Sequence, residues 1–239
     1  MKKIILCFAA FIICFLVISC GNDNKKQDVE YSEELVKKAE QGDADAMADL
    51  GYVYAEGRGI AKDYEKSAEW TKKAAEQGQK YAQCNMGVDY EFGHGVIQDY
   101  DEAAKWYRKS AEQDYSDAQY RLGNCYYFGK GVPKDYAEAV IWYRKAADQG
   151  HLDALCTWAD CCFNGIGTPK DEVVAVRLIK KALDIDREGK RDDIRYNLGV
   201  CYENGFGVSE DINEAIKWYK EAAEKGNQNA IQALHNLGQ

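Results

Sequence analysis

Residues 118–150 read AQYRLGNCYYFGKGVPKDYAEAVIWYRKAADQG, and the same phrase starts again in register at Ala46, Ala82, Ala154 and Ile194. Its columns align without gaps inside each copy. Gly51, Gly87, Gly123 and Gly199 share one column, filled by Ala159 in the fourth copy. Gly59, Gly95, Gly131, Gly167 and Gly207 share another, as do Asp63, Asp99, Asp135, Asp171 and Asp211. Trp70, Trp106, Trp142 and Trp218 share a fourth, where Leu178 is the exception. A period of this length marks a solenoid, in which each unit buries its apolar face only against its neighbours. Such a chain offers surface to other proteins more readily than a pocket for chemistry.

Each copy reads as two helices with a fixed turn at either end. Ala118, Leu122, Gly123 and Tyr126 fall on one face of a 3.6-residue period, and the small Ala and Gly let a neighbouring helix come close. Gly129-Lys130-Gly131 stops that helix, because glycine takes the left-handed cap conformation at little steric cost. Asp135 starts the second helix as an N-cap, and Glu102, Glu138 and Glu214 stand at capping-box spacing from their Asp. Ala139, Trp142 and Ala146 make the buried stripe of the second helix. The expected fold class is all-α: a right-handed α-solenoid of about five helix-turn-helix repeats, occupying residues 31–239.

These columns resemble the Sel-one-like repeat family, a relative of the tetratricopeptide repeat; the copies from Ala82 and Ala118 meet its pattern nearly in full. The resemblance implies a superhelix of antiparallel helix pairs with a concave inner face, and adaptor roles in complex assembly or envelope signalling. The fourth copy departs from the pattern with Trp158, Ala159, Cys162 and Leu178, and adds four residues within Asp184 to Asp193. That insertion is expected to form a longer second helix or loop. Ser32 to Gln41 and Ala230 to Leu237 read as half-units that cap the array.

Ahead of the repeats, Lys2 and Lys3 precede an apolar run from Ile4 to Ile18, the layout of a secretory signal and too short for a spanning helix. Val17-Ile18-Ser19-Cys20 resembles the lipobox of bacterial lipoproteins, which implies residues 1–19 as the signal peptide and cleavage before an acylated Cys20. The alternative is an ordinary signal peptide with a chance cysteine. Gly21, standing where Asp retains many lipoproteins at the inner membrane, leans towards the outer membrane of a bacterial envelope. Asn22 to Glu30 is polar and reads as a flexible tether, so that 20–30 is a lipidated linker. Without Lys2 and Lys3 the chain holds 29 basic against 40 acidic residues, a net charge of −11. That excess argues against nucleic acid and anionic lipid headgroups, whose binding needs clustered cations, so the membrane is expected to be met through the lipid anchor only.

Signals of chemistry yield to structural readings. Gly57-Arg58-Gly59 and its equivalents lack the third glycine of a phosphate loop and follow helices rather than strands. The recurrent carboxylates sit in equivalent environments, whereas paired acid/base work needs different ones. His94, His151 and His235 are scattered, and no acyl-transfer motif is present. The chain is therefore expected not to be an enzyme and to need no cofactor or metal. Cys84, Cys125, Cys156, Cys161, Cys162 and Cys201 all lie on first helices, and Cys125, Cys161 and Cys201, in one column of successive copies, stand farther apart than a disulfide spans. Reduced, semi-buried thiols are the expectation. A zinc site from His151, Cys156, Cys161 and Cys162 is the alternative, weakened by the lack of any C-x-x-C.

In the related tetratricopeptide fold the inner face is presented three before, one after and four after the central Gly. Here those columns hold Ala48, Cys84, Tyr120, Cys156 and Tyr196; Tyr52, Val88, Asn124, Asp160 and Val200; and Ala55, Glu91, Tyr127, Phe163 and Glu203. They vary while the core columns stay fixed. Tyr52, Glu91, Tyr120, Asn124, Tyr127, Asp160, Phe163, Tyr196 and Glu203 are the candidate partner-binding residues. They suit a protein or peptide with apolar and basic side chains, although each aromatic has packing between helices as its alternative role. The expected protein is an exported, lipid-anchored scaffold. The rival readings are an envelope enzyme acting on cell-wall peptides and a purely structural spacer.

Overall fold

The structure, a computed structural model, describes residues 29–239, so the expected leader, Cys20 and most of the expected tether lie outside the described residues. Among the described residues there are twelve α-helices and no strand. They fall into two compact units, 29–135 and 136–239.

The first unit holds α1 (Glu33–Glu40), α2 (Ala44–Glu56), α3 (Tyr64–Glu76), α4 (Lys80–Phe92), α5 (Tyr100–Ala111) and α6 (Ser116–Phe128). The second holds α7 (Tyr136–Asp148), α8 (Leu152–Asn164), α9 (Glu172–Ile185), α10 (Asp192–Asn204), α11 (Ile212–Glu224) and α12 (Gln228–Asn236). Within each unit the main packing joins helices consecutive in sequence, as a one-dimensional stack requires. Alanines supply much of the core: Ala39, Ala74, Ala82, Ala118, Ala139, Ala154, Ala175, Ala182, Ala215 and Ala230 are fully buried.

The turns work through backbone atoms. Gly57, Gly93, Gly129, Gly165 and Gly205 cap the first helices in the left-handed conformation, as expected. The second glycine of each turn has a further role that the sequence does not display. A Cβ on Gly131 would lie 1.8 Å from the carbonyl oxygen of Tyr100, and one on Gly167 would lie 2.1 Å from that of Tyr136. These turns are thus seated on the first turn of the preceding copy's second helix, whereas Gly59 meets the backbone of Tyr31 ahead of α1.

Asp63, Asp99, Asp171 and Asp211 are N-caps whose carboxylates accept backbone N–H groups. At Asp99 and Asp211 the capping glutamate is drawn elsewhere. The Asp99 N–H already donates to the Tyr90 carbonyl at 2.9 Å, and Asp211 does the same to Tyr202. Glu102 turns instead to Lys105 at 2.6 Å, and Glu214 to Lys217 at 3.7 Å.

The central glycines meet the second helix of their own copy. A Cβ on Gly87 would lie 2.4 Å from the Tyr107 ring, and one on Gly199 would lie 2.6 Å from that of Tyr219. In the fourth copy the same columns hold Ala159 and Ile179, so the larger residue on one helix accompanies a slimmer one on the other.

The fourth-copy insertion forms one added helical residue and a braced loop. Ile185 ends α9 and Asp186 is buried. The Asp186 carboxylate accepts from the N–H of Lys190 and of Arg191, and from Arg195 Nη1 at 3.0 Å. These bonds supply the partners that a buried carboxylate needs.

Candidate functional site

In the first unit the candidate residues stand on the first helices α2, α4 and α6. Tyr52 is half-buried, with the Arg58 guanidinium 5.0 Å over its ring. Tyr120, Asn124 and Tyr127 are half-buried at i, i+4 and i+7 on α6, and the Tyr127 ring meets Phe128 edge-on at 5.0 Å.

Glu91 is held more firmly than a steering acid would be. The Tyr107 phenol donates to its carboxylate at 2.7 Å, while Arg121 and Lys130 approach it at 3.9 and 3.8 Å. Arg121 also lies 5.9 Å over the Tyr107 ring. Burial and the Glu91 charge push the Tyr107 phenol well above the usual range, so it stays a donor.

In the second unit Tyr219 donates to Glu203 at 2.5 Å, and its ring lies 5.7 Å from that of Tyr196. Asp160 is half-buried; desolvation raises its carboxyl to about 6, against the lowering effect of Asn164 Nδ2, which donates at 2.8 Å. Phe163 retains only 5% exposure and packs edge-on to Phe206 at 5.3 Å, with Lys170 Nζ 5.6 Å over its ring. Of the nine candidates it is the one closed into the core, in the packing role open to every aromatic on this face.

Three polar groups escaped the sequence reading. Asn85 Oδ1, Asp89 Oδ2 and Asn197 Nδ2 are buried without a hydrogen-bond partner. Burial alone raises the Asp89 carboxyl to about 7. Its column elsewhere holds Val53, Cys125, Cys161 and Cys201. A signal existed in the chain: Asn85-Met86-Gly87-Val88-Asp89-Tyr90-Glu91 matches Asn197-Leu198-Gly199-Val200-Cys201-Tyr202-Glu203 at five of seven positions.

The cysteines divide. Cys125, Cys156, Cys161, Cys162 and Cys201 are free and buried, and burial lifts the Cys125, Cys156, Cys161 and Cys201 thiols to about 12 and Cys162 to about 11. Cys84 is disulfide-bonded, which corrects the expectation of six reduced thiols. The other five described cysteines are free. His151, weighed as a zinc ligand, uses Nδ1 to cap α8, accepting from the Ala154 N–H at 3.2 Å. Among the described residues no group of three or more His, Cys, Asp or Glu is placed to hold a metal ion, and no helix is long and apolar enough to cross a membrane.

Consecutively packed helix pairs with repeated caps, central glycines and turn seats define an all-α repeat solenoid, a class built for contact with other proteins. The Sel1 repeat profile matches residues 44–79, 80–115, 116–151, 152–185 and 195–227, and the chain belongs to that family. It is similar to the crystal structure of a Sel1 repeat protein from Oxalobacter formigenes, at 36% identity and TM-score 0.73 over 83% of this chain and 79% of that one. It is also similar to c5321, a protective antigen of uropathogenic Escherichia coli with an SLR fold, at 32% identity and TM-score 0.66 over 83% of this chain. This chain covers 49% of that antigen. A 43-residue stretch is 44% identical to the DAP3-binding cell death enhancer 1 of Rattus norvegicus, but spans only 8% of that relative. Sel1-repeat proteins are generally scaffolds for protein–protein interaction.

Proposed function

We propose that this chain is an exported, lipid-anchored scaffold of a bacterial envelope, binding a protein or peptide on the face presented by its first helices. The observation that carries the binding reading is the row Tyr120, Asn124 and Tyr127, half-buried on one side of α6 in columns that packing leaves free to vary. Aromatic side chains that are part-buried before binding lose little rotamer freedom on contact, and such residues dominate interface energies. Tyr52 extends the row on α2, and Asp160 and Tyr196 offer the equivalent surface in the second unit. Glu203 contributes a carboxylate fixed by a tyrosine phenol, suited to a partner with basic side chains, whereas the Glu91 carboxylate is already met by Arg121 and Lys130. Phe163 supports that surface from beneath.

The test is crosslinking from intact envelopes with a photoreactive residue at position 127 or, as control, at position 105, where Lys105 lies on the opposite helix row. Capture from 127 alone supports the reading. With a captured partner in hand, Tyr120→Ala and Tyr127→Ala should each weaken binding by about 1–3 kcal/mol. Equal or greater capture from position 105 overturns it. For the anchor, Cys20→Ser should abolish incorporation of labelled palmitate and detergent-phase partitioning; unchanged partitioning refutes acylation at that residue.

A further inference from the structure

We infer that the turn edge of the first unit rests on the phospholipid surface, with the side chains of that edge entering the headgroup layer. The inference rests on the proposed acylation of Cys20 and adds an orientation to it.

The edge is apolar where the repeat does not require it to be. Ile97 is 90% exposed, and Phe92 and Phe128, which end α4 and α6, are 47% and 41% exposed. Tyr64 and Tyr100 open α3 and α5 beside them. His94 bridges two of these rings, stacked on Tyr64 at 5.1 Å and on Phe92 at 5.7 Å. Lys62 lies 5.2 Å over the Tyr64 ring and Lys130 lies 5.1 Å over Tyr100. Aromatic rings flanked by lysines, around a bare aliphatic tip, are the mixture that partitions to a membrane interface. In the second unit Asn164 and Asn204 stand in the phenylalanine column and Ser209 in that of Ile97. The cluster of Phe92, Ile97 and Phe128 is therefore particular to α4 to α6, since α2 ends on Glu56, while the tyrosine column continues in the second unit with the exposed Tyr136 and Ile212.

Where the chain enters the fold names the occupant. The Tyr31 N–H donates to the Arg58 carbonyl at 3.1 Å, so the chain enters the first unit against its Gly57–Gly59 turn. That turn belongs to the same series as the turns carrying Phe92, Ile97 and Phe128. Eight residues lie between Cys20 and Val29, a reach of at most about 32 Å. An acyl anchor on that leash keeps this edge within reach of the lipid surface. The N-caps Asp63 and Asp99 share the edge with its lysines, so a zwitterionic surface suits it better than an anionic one.

The test is hydroxyl-radical footprinting of the full-length acylated protein in phosphatidylcholine vesicles, against the Cys20→Ser protein in solution. Oxidation of Phe92, Ile97 and Phe128 should fall severalfold on the vesicles, while Ile141 and Ile231 of the second unit keep their rates. Ile97→Asp combined with Phe92→Ser should restore oxidation of Phe128 while the acyl chains keep the protein vesicle-bound. Palmitate incorporation without protection of the edge overturns this inference and leaves the anchor standing. Absence of palmitate at Cys20 removes both. Protection that appears in solution and grows with protein concentration assigns the edge to a second copy of the chain, and also overturns it.

Discussion

The Tyr107 phenol donates to the Glu91 carboxylate at 2.7 Å across the two helices of one copy, and Tyr219 does the same to Glu203 at 2.5 Å. Both tyrosine rings also cover the central glycine of their copy, Gly87 or Gly199. The same side chain thus sets the helix spacing and fixes an acid on the variable face. Where it is replaced, its partner changes too: Thr71 accompanies Ala55, and Ile179 accompanies Phe163.

Tyr107→Phe removes the donor while keeping the ring. A hydrogen bond to a charged group contributes about 1.5–3 kcal/mol, so urea unfolding should show a loss of that order. Residual Arg121 and Lys130 contacts to Glu91 put it at the lower end. Glu91→Lys should cost more, placing a third cation beside them; an unchanged midpoint for Glu91→Lys would return this acid to a purely steering role.

Gly87→Ala drives a methyl into the Tyr107 ring and should destabilise by about 1–3 kcal/mol. Adding Tyr107→Ile recreates the Ala159–Ile179 pairing of the fourth copy and should recover part of that loss. A thermal melt showing the double variant at or below the single one would refute the ring contact as the cause.

Asp89 gives a pH signature. Its folded-state carboxyl lies near 7, above the ordinary value of 3.8, so the folded chain holds this proton more tightly than the unfolded one. Its destabilising effect is absent below about 4, grows as pH rises to about 7 and is constant above, amounting to a few kcal/mol. Asp89→Asn and Asp89→Val should raise the melting temperature at pH 8 and not at pH 4. Parallel pH profiles for wild type and both variants would show that Asp89 ionises freely.

Phe163→Ala and Tyr127→Ala should separate stability from binding. Truncating the buried Phe163 should cost about 3–5 kcal/mol by denaturant titration. Tyr127→Ala, on a half-buried side chain, should cost well under half as much while weakening partner capture. Equal melting losses would mean that Tyr127 packs rather than presents itself.

Alkylation under native, non-reducing conditions should leave Cys125, Cys156, Cys161, Cys162 and Cys201 unlabelled over minutes, and denaturant should expose all five. Intact mass reads this directly. Fewer than five labels after denaturation would mean disulfides among them.

The helix pairs, caps and core columns were legible because each depends on one residue type at a fixed spacing. Asp63 caps α3 and Gly57 ends α2 wherever the rest of the chain lies. The second glycine was read only as a stop, since its other partner is the backbone of a preceding copy, invisible in its own. Glu91 was legible as an acid, but Tyr107 lies 16 residues on in another helix, so the bond between them was not. Cys84 shows the same limit: its disulfide is not legible in the spacing of the repeat cysteines.

The seat under each second glycine has a bearing on ancestry. Gly95 meets the carbonyl of Tyr64, Gly131 that of Tyr100, Gly167 that of Tyr136 and Gly207 that of Glu172. A carbonyl is present whatever side chain mutation places there, and the joint survived the change from Tyr to Glu. A copy can therefore be duplicated, deleted or exchanged by recombination without its new neighbours having to co-adapt. Arrays joined this way can change length in a single genetic event, leaving selection to act on the side chains they display.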